Sequence, residues 1–113
     1  MATLLFDKVP YEKVKEGLER KIIYTDHLMS VLIDFSGGPW KEPEPLHHHS
    51  HEQVSYIAAG EVLFLCEGEE PVELKQGDFF AVASGKKHGI QLLSKNARLI
   101  DSFTPIREDF LKE

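Results

Sequence analysis

The chain has a single cysteine, Cys66, among its 113 residues. No internal disulfide framework can form, and a lone thiol suits a reducing compartment. Long apolar runs are missing as well. The N-terminal stretch Met1-Ala2-Thr3-Leu4-Leu5-Phe6 ends at Asp7. It is too short for the core of a signal peptide and far too short to cross a bilayer, so the expectation is a cytoplasmic protein with no membrane partner. Positive charge is scarce: 13 Lys+Arg face 19 Asp+Glu, a formal net charge of −6. That balance argues against nucleic acid as a main partner. Repeats at solenoid spacing are lacking, and so is helical periodicity. Only the stretch from Pro10 to Leu18 reads as helix, and Gly17 limits it to about two turns. A chain of this length is expected to form one domain over residues 1–113. It can bury about two-thirds of its unfolded surface without covalent staples.

What is present in quantity is turn punctuation. Gly37-Gly38-Pro39, Ala59-Gly60-Glu61, Glu67-Gly68-Glu69, Gln76-Gly77-Asp78, Ser84-Gly85 and Lys95-Asn96 divide the chain into short pieces. The pieces between them are rich in β-branched, aromatic and aliphatic residues. Strands are expected near Arg20 to Tyr24, Leu28 to Phe35, Leu46 to His49, Gln53 to Ala58, Glu61 to Leu65, Val72 to Leu74, Asp78 to Val82, Gly89 to Leu93 and Ala97 to Phe103. So many short strands imply an all-β sandwich or barrel. Some alternate: Met29, Val31, Ile33 and Phe35 share one face, with Ser30 and Asp34 on the other. Others, such as Val62 to Leu65, are apolar on both faces, as expected where a second sheet or a partner subunit covers the outside. The stretch from Pro39 to Pro45, with Trp40 and three prolines, reads as an extended loop. Glu67, Glu69 and Glu70 read as a solvated hairpin tip.

Four of the six histidines fall within five residues, in Leu46-His47-His48-His49-Ser50-His51-Glu52-Gln53. The run is internal, interrupted by Ser50 and set in strand-like sequence, which speaks against an affinity tag. Neutral imidazole is the commonest metal ligand, so metal coordination is the better reading. On a strand, His47 and His49 project to one side while His48 faces away. Gln53, four residues beyond His49 and across a turn, can return to that side. A further ligand must come from a distant stretch, and His88 is the candidate. His27 reads as a surface histidine.

His47-x-His49-x3-Gln53-x6-Gly60 resembles the first cupin motif, with Gln where Glu often stands. Gly77-x5-Ala83-x-Gly85-x2-His88 resembles the second, with Ala83 where Pro is usual and Leu92 where Asn is usual. The fold this implies is a small jelly-roll barrel, the double-stranded β-helix. A narrower resemblance spans nearly the whole chain. Arg20-Lys21-Ile22-Ile23 with Asp26-His27-Leu28-Met29, His49-Ser50-His51-Glu52-Gln53-Val54-Ser55-Tyr56, and the run from Asp101 through Thr104-Pro105-Ile106-Arg107 to Leu111 resemble the pectin-degradation (KdgF-like) cupins. Generic cupins do not share the C-terminal run. The resemblance implies conversion of 4,5-unsaturated monouronates, released from pectin or alginate by lyases, into linear keto forms. It implies metal ligands His47, His49, Gln53 and His88, substrate-handling residues Asp101, Phe103 and Arg107, and a small anionic sugar as partner. The loop from Pro39 to Pro45 departs from the family's shorter connection.

The residue types agree with such a role. Three imidazoles and a Gln amide leave the full +2 on a divalent ion, whereas Glu at position 53 would leave +1. A unit charge at about 4 Å is worth at most about 4 kcal/mol at an effective dielectric near 20, so this site favours an anionic oxygen ligand. The donor set admits Ni, Zn, Fe or Mn. Open positions for substrate favour a five- or six-coordinate ion. By alternation Asp101 shares a face with Leu99 and Phe103; on an interior face its carboxylate either pairs with a cation or has a shifted pKa, and otherwise it reads as a solvated or turn-capping Asp near a strand end. Arg107 can grip a carboxylate bidentately. Phe103 reads as core or as a wall against a sugar ring. Tyr56 reads as packing and Cys66 as a buried, unreactive filler. The competing readings are a cupin dioxygenase using the same ligands for iron, and a non-catalytic sugar-binding cupin. Small cupins pair through strands, so a homodimer is expected.

Overall fold

The structure, a computed structural model, describes residues 2–111; Met1 of the N-terminal apolar run lies outside them. Nine strands follow one another: β1 Glu12–Lys15, β2 Leu18–Tyr24, β3 Met29–Phe35, β4 Glu52–Ala59, β5 Glu61–Cys66, β6 Val72–Lys75, β7 Phe79–Val82, β8 His88–Leu92 and β9 Ala97–Thr104. A 3-10 turn at Glu108–Leu111 ends the described chain. The strands form two antiparallel sheets, one in the order β1-β2-β3-β9-β4-β7 and the other β6-β5-β8. The first four strands share the larger sheet; the chain then crosses between sheets at β4–β5, β6–β7, β7–β8 and β8–β9, as in a jelly roll. None of the described helices is long and apolar enough to span a membrane.

Period-2 alternation determines what each sheet puts inside. Met29, Val31 and Phe35 are buried on β3, and Ala97, Leu99 and Phe103 on β9. On β5 the buried set is Val62, Phe64 and Cys66. Phe64 and Phe80 stack across the two sheets with centroids 4.2 Å apart. The main core joins them to Phe35, Ile57, Val62, Leu92 and Leu99. Met29, Val31 and Phe103 form a smaller cluster, capped by Ile106 and by Phe110 and Leu111 of the C-terminal turn. Gly60 shows why the β4–β5 turn needs glycine. Its φ is +82°, and a Cβ there would lie 2.3 Å from the Asn96 carbonyl oxygen.

Two expectations fail. The stretch from Pro10 to Leu18 is not helical: β1 runs Glu12–Lys15 and pairs with β2 through a turn at Gly17. Its Glu- and Lys-rich composition suits a helix, but every β1 residue is exposed, so there is no apolar stripe for a helix to bury. Cross-strand pairing with β2 decides instead. The expected strand from Leu46 to His49 is reduced to one bridge, between His47 and His88. Pro43 and Pro45, just before it, carry no N–H for a ladder. The segment from Pro39 to Pro45 is a loop rather than a strand, as expected, with bends at Lys41 and Glu42, and its Trp40 packs edge-on to Phe35. The hairpin tip at Glu67, Glu69 and Glu70 is exposed.

Candidate functional site

A cavity of about 260 Å³ opens between the two core clusters. Its wall includes all seven residues singled out in the sequence: His47, His49, Gln53, His88, Asp101, Phe103 and Arg107. A wider depression of about 520 Å³ beside the β1–β2 turn holds none of them.

The histidines arrive from two places. His47 and His49 precede β4, and His88 begins β8. Reciprocal backbone hydrogen bonds of 2.9 Å between His47 and His88 lock the two stretches together. One ring nitrogen from each of His47, His49 and His88 lies within 4.8 Å of the others. His48 is exposed and takes no part. His27 is exposed in a turn, and its carbonyl accepts from Thr104 Oγ1 at 2.6 Å.

The hydrogen bonds say what these rings present. His49 Nδ1 lies 3.2 Å from the His51 carbonyl and His88 Nδ1 lies 3.0 Å from the Lys86 carbonyl. A carbonyl only accepts, so the neutral His88 ring carries its proton on Nδ1 and turns an Nε2 lone pair inward. His88 Nε2 is buried with no hydrogen-bond partner. His49 Nε2 lies 3.1 Å from Gln53 Oε1. The amide orientation is fixed from its other end, because Gln53 Nε2 donates to Ser55 Oγ at 2.9 Å. Both ring nitrogens of His49 therefore lie beside acceptor oxygens, while the His88 Nε2 lone pair stands alone. No neutral imidazole at position 49 satisfies both the His51 carbonyl and the Gln53 oxygen. A shared cation does, so the residues present fit a metal ion. Burial, first of all, holds the His47 and His88 rings below the ordinary histidine pKa, with neighbouring imidazoles adding to the effect. Both therefore stay neutral and available as ligands at neutral pH.

Strand register carries the same network to a carboxylate. In the β4–β9 pairing Ser55 lies directly opposite Asp101 and Gln53 opposite Phe103. Ser55, fully buried, donates to Asp101 Oδ1 at 2.6 Å. A relay thus runs from Gln53 through Ser55 to Asp101. Enclosure by protein pushes the Asp101 pKa up to about 6, and Glu44 adds to the rise while the Ser55 hydroxyl opposes it. What remains accessible of Asp101 is reached through the cavity, so it can exchange a proton with a bound molecule.

Arg107 lies between β9 and the 3-10 turn. It pairs with Asp109 at 3.1 Å and keeps a buried Nε without a partner. Phe103 is nearly fully buried, yet it also lines the cavity, edge-on to His51 and Phe110. It is core and wall at once. Tyr56 does not line the cavity and packs on Phe79. Cys66 is buried and lies outside the cavity wall, and burial raises its thiol pKa.

Ser55 and Glu44 are not among the residues singled out in the sequence. Ser55 was within reach, since it sits two residues from Gln53 on one strand face. Glu44 was not, because no period marks the loop that carries it. Its Oε2 accepts from the Ile90 N–H at 2.9 Å, and its side chain lines the cavity. Burial raises the Glu44 pKa, against the Ile90 hydrogen bond. Gly89 makes room: a Cβ there would come within 3.1 Å of Glu44 Cγ.

Comparison with known proteins agrees with this architecture. The cupin domain family matches residues 35–103. Pectin degradation protein KdgF of Dickeya dadantii is 39% identical over 106 residues, 93% of this chain and 94% of that protein. The structure of KdgF from Halomonas sp. superposes with a TM-score of 0.84 at 31% identity, covering 94% of this chain and 96% of that one. An RmlC-like cupin from Shewanella frigidimarina gives a TM-score of 0.86 at 33% identity, over 97% and 96% of the two chains. A two-sheet barrel with a histidine triad at its mouth, matched over nearly its whole length by these proteins, places the chain in the cupin family, in the group of the pectin degradation protein KdgF.

Proposed function

We propose that this cavity converts 4,5-unsaturated monouronates, the small anionic sugars left by pectin or alginate lyases, into their linear keto form. The observation that carries this reading is the joining, in one small cavity, of a lone-pair cluster, a carboxyl group with a pKa near 6 and a guanidinium. The pectin-degradation role of the Dickeya relative supports the substrate class.

The proposed ligands are His47, His49, Gln53 and His88, holding one divalent transition metal: Ni, Zn, Fe or Mn. Bound there, the ion supplies Lewis acidity toward substrate oxygens, undiminished by any anionic protein ligand. The remaining work falls to side chains. Arg107 grips the uronate carboxylate. Asp101, ionised, takes the proton of the anomeric hydroxyl. The anomeric C=O forms as the bond to the ring oxygen breaks, and the electron pair is left on that oxygen as an enolate. Asp101 then returns the proton to the carbon that becomes the methylene, and the enolate becomes a ketone. One proton moves, one C–O bond breaks, and no oxidant or reductant is consumed. Ser55, donating to Oδ1, fixes the carboxyl group for both transfers. Phe103 walls the ring from water.

The setting proposed is cytoplasmic, to which the unpaired Cys66 is suited. The active form proposed is a homodimer. Exposed Leu28, Val54 and Phe79 support an association surface, and light scattering reads the mass directly.

The test is to mix metal-loaded protein with unsaturated monogalacturonate, without oxygen, and follow the conjugated enol-ether absorbance. Loss well above the buffer rate is expected. No acceleration overturns the reading. Activity that depends on oxygen and consumes it would indicate a dioxygenase instead, and binding without product a sugar-binding protein.

A further inference from the structure

Strand β2 carries one charged residue in its inward row. Leu18 and Ile22 pack on the core clusters, and Arg20 stands between them in the alternation. Its side chain keeps only 15% exposure. A guanidinium so placed must be paired. Glu12, directly opposite on β1, accepts from Arg20 Nε at 2.7 Å. The guanidinium carbon of Arg20 lies 4.2 Å from the centroid of the Phe110 ring, and that of Arg107 lies 4.2 Å from the same centroid. Both arginines line the cavity that holds the histidines and Asp101.

The partners of the two arginines are arranged alike. Glu12 and Asp109 are 54% and 59% exposed, and neither lines the cavity. Each offsets the cost of holding its arginine there while sitting in solvent itself. Glu12 engages Nε and Nη2 of Arg20, which leaves Nη1 uncommitted by that pair. Arg107 keeps its buried Nε free. The cavity therefore has more cationic donors than one carboxylate needs. A planar guanidinium serves two oxygens side by side. A carboxylate flanked by a third oxygen on the adjacent carbon asks for a second donor group. The uronate ring ether has this arrangement before ring opening, and the 2-oxo acid has it afterwards.

We propose that Arg20 is a second anion-binding residue of the site, acting with Arg107 on the shared Phe110 ring, and that together they select a carboxylate with an oxygen on the adjacent carbon. This rests on the ring-opening reading for its natural substrate. The chemical class recognised, 2-oxo and 2-enol-ether carboxylates, can be probed without turnover.

The experiment compares wild type with Arg20→Met, which keeps bulk without charge, and Arg20→Lys. Calorimetry with pyruvate on the metal-loaded protein should show binding weakened about 10- to 100-fold in Arg20→Met, and partly restored in Arg20→Lys. With unsaturated monogalacturonate, KM should rise by a similar factor while kcat stays within about threefold, the signature of uniform binding. A residue that merely braces β1 against the C-terminal turn would instead lower the melting temperature in both variants and leave pyruvate affinity and KM unmoved. Unchanged pyruvate binding in Arg20→Met, or a wild type that does not bind pyruvate, overturns the proposal. A wild type that binds pyruvate through Arg20 yet does not open the uronate ring would overturn the enzymatic reading and leave Arg20's role standing.

Discussion

The histidine cluster and the arginine pair share one cavity but meet their electrostatic needs in opposite ways. At the histidines, His49 Nε2 faces the Gln53 oxygen and His88 Nε2 is buried without a partner. That arrangement is incomplete until a cation enters it. At the arginines, each charge already has a carboxylate, Glu12 or Asp109, on the solvent side. That arrangement is stable alone and gains an anion as an additional ligand. Damage among the histidines should abolish the chemistry, whereas damage among the arginines should weaken affinity.

The largest effect is expected at the cluster. His88→Ala should lose metal retention and turnover together, by at least about a hundredfold, as read by metal analysis of the purified protein and by the enol-ether assay. A variant that keeps both would remove His88 from the ligand set. Next comes the carboxyl group between the two regions. Asp101→Asn should keep its metal and lose about 10²–10⁴ in kcat, and undiminished turnover would discard it as the proton carrier. Arg107→Ala should raise KM about 10- to 100-fold and leave metal content untouched. If it dropped metal instead, the two regions would not be separable.

The smallest effects concern the relay and its titration. Ser55→Ala should cost about 1–3 kcal/mol in thermal or urea unfolding, with a modest fall in kcat. In metal-free protein, the folded-state pKa of Asp101 stands above its unfolded value. Its contribution to stability is therefore full below about pH 4 and is lost as pH rises through about 6. Relative to wild type, Asp101→Asn should gain about 1–3 kcal/mol between pH 4 and pH 7 in urea titrations. No pH-dependent difference would mean that the carboxyl group is not held in a desolvated place. A bound divalent ion should pull that pKa back down and shrink the difference.

Much of this was legible in the sequence, for physical reasons. Period-2 alternation put Leu99, Asp101 and Phe103 on one face, and the structure places all three on the cavity wall. The i, i+2 spacing of His47 and His49 directed both rings the same way even though the segment forms only a single bridge. The β1 hairpin was not legible, because a charged edge strand has the local composition of a solvated helix, and only its pairing with β2 distinguishes them. Glu44 was hidden for a related reason: it enters the cavity from a proline-rich loop whose path is set by contacts with β8. Arg20 opens an expected strand, but its inward place between Leu18 and Ile22 was not legible, because Leu18 reads as the end of a helix and joins β2 only in the structure. Its meaning needed Phe110, ninety residues later in the chain.

The most direct test of the central claim is a calorimetric titration of chelator-stripped protein with a divalent transition metal such as Ni²⁺ or Mn²⁺. One ion per chain is expected, bound by wild type and Asp101→Asn alike and lost in His49→Ala and His88→Ala. Absence of binding, or binding indifferent to both histidine substitutions, would contradict that claim.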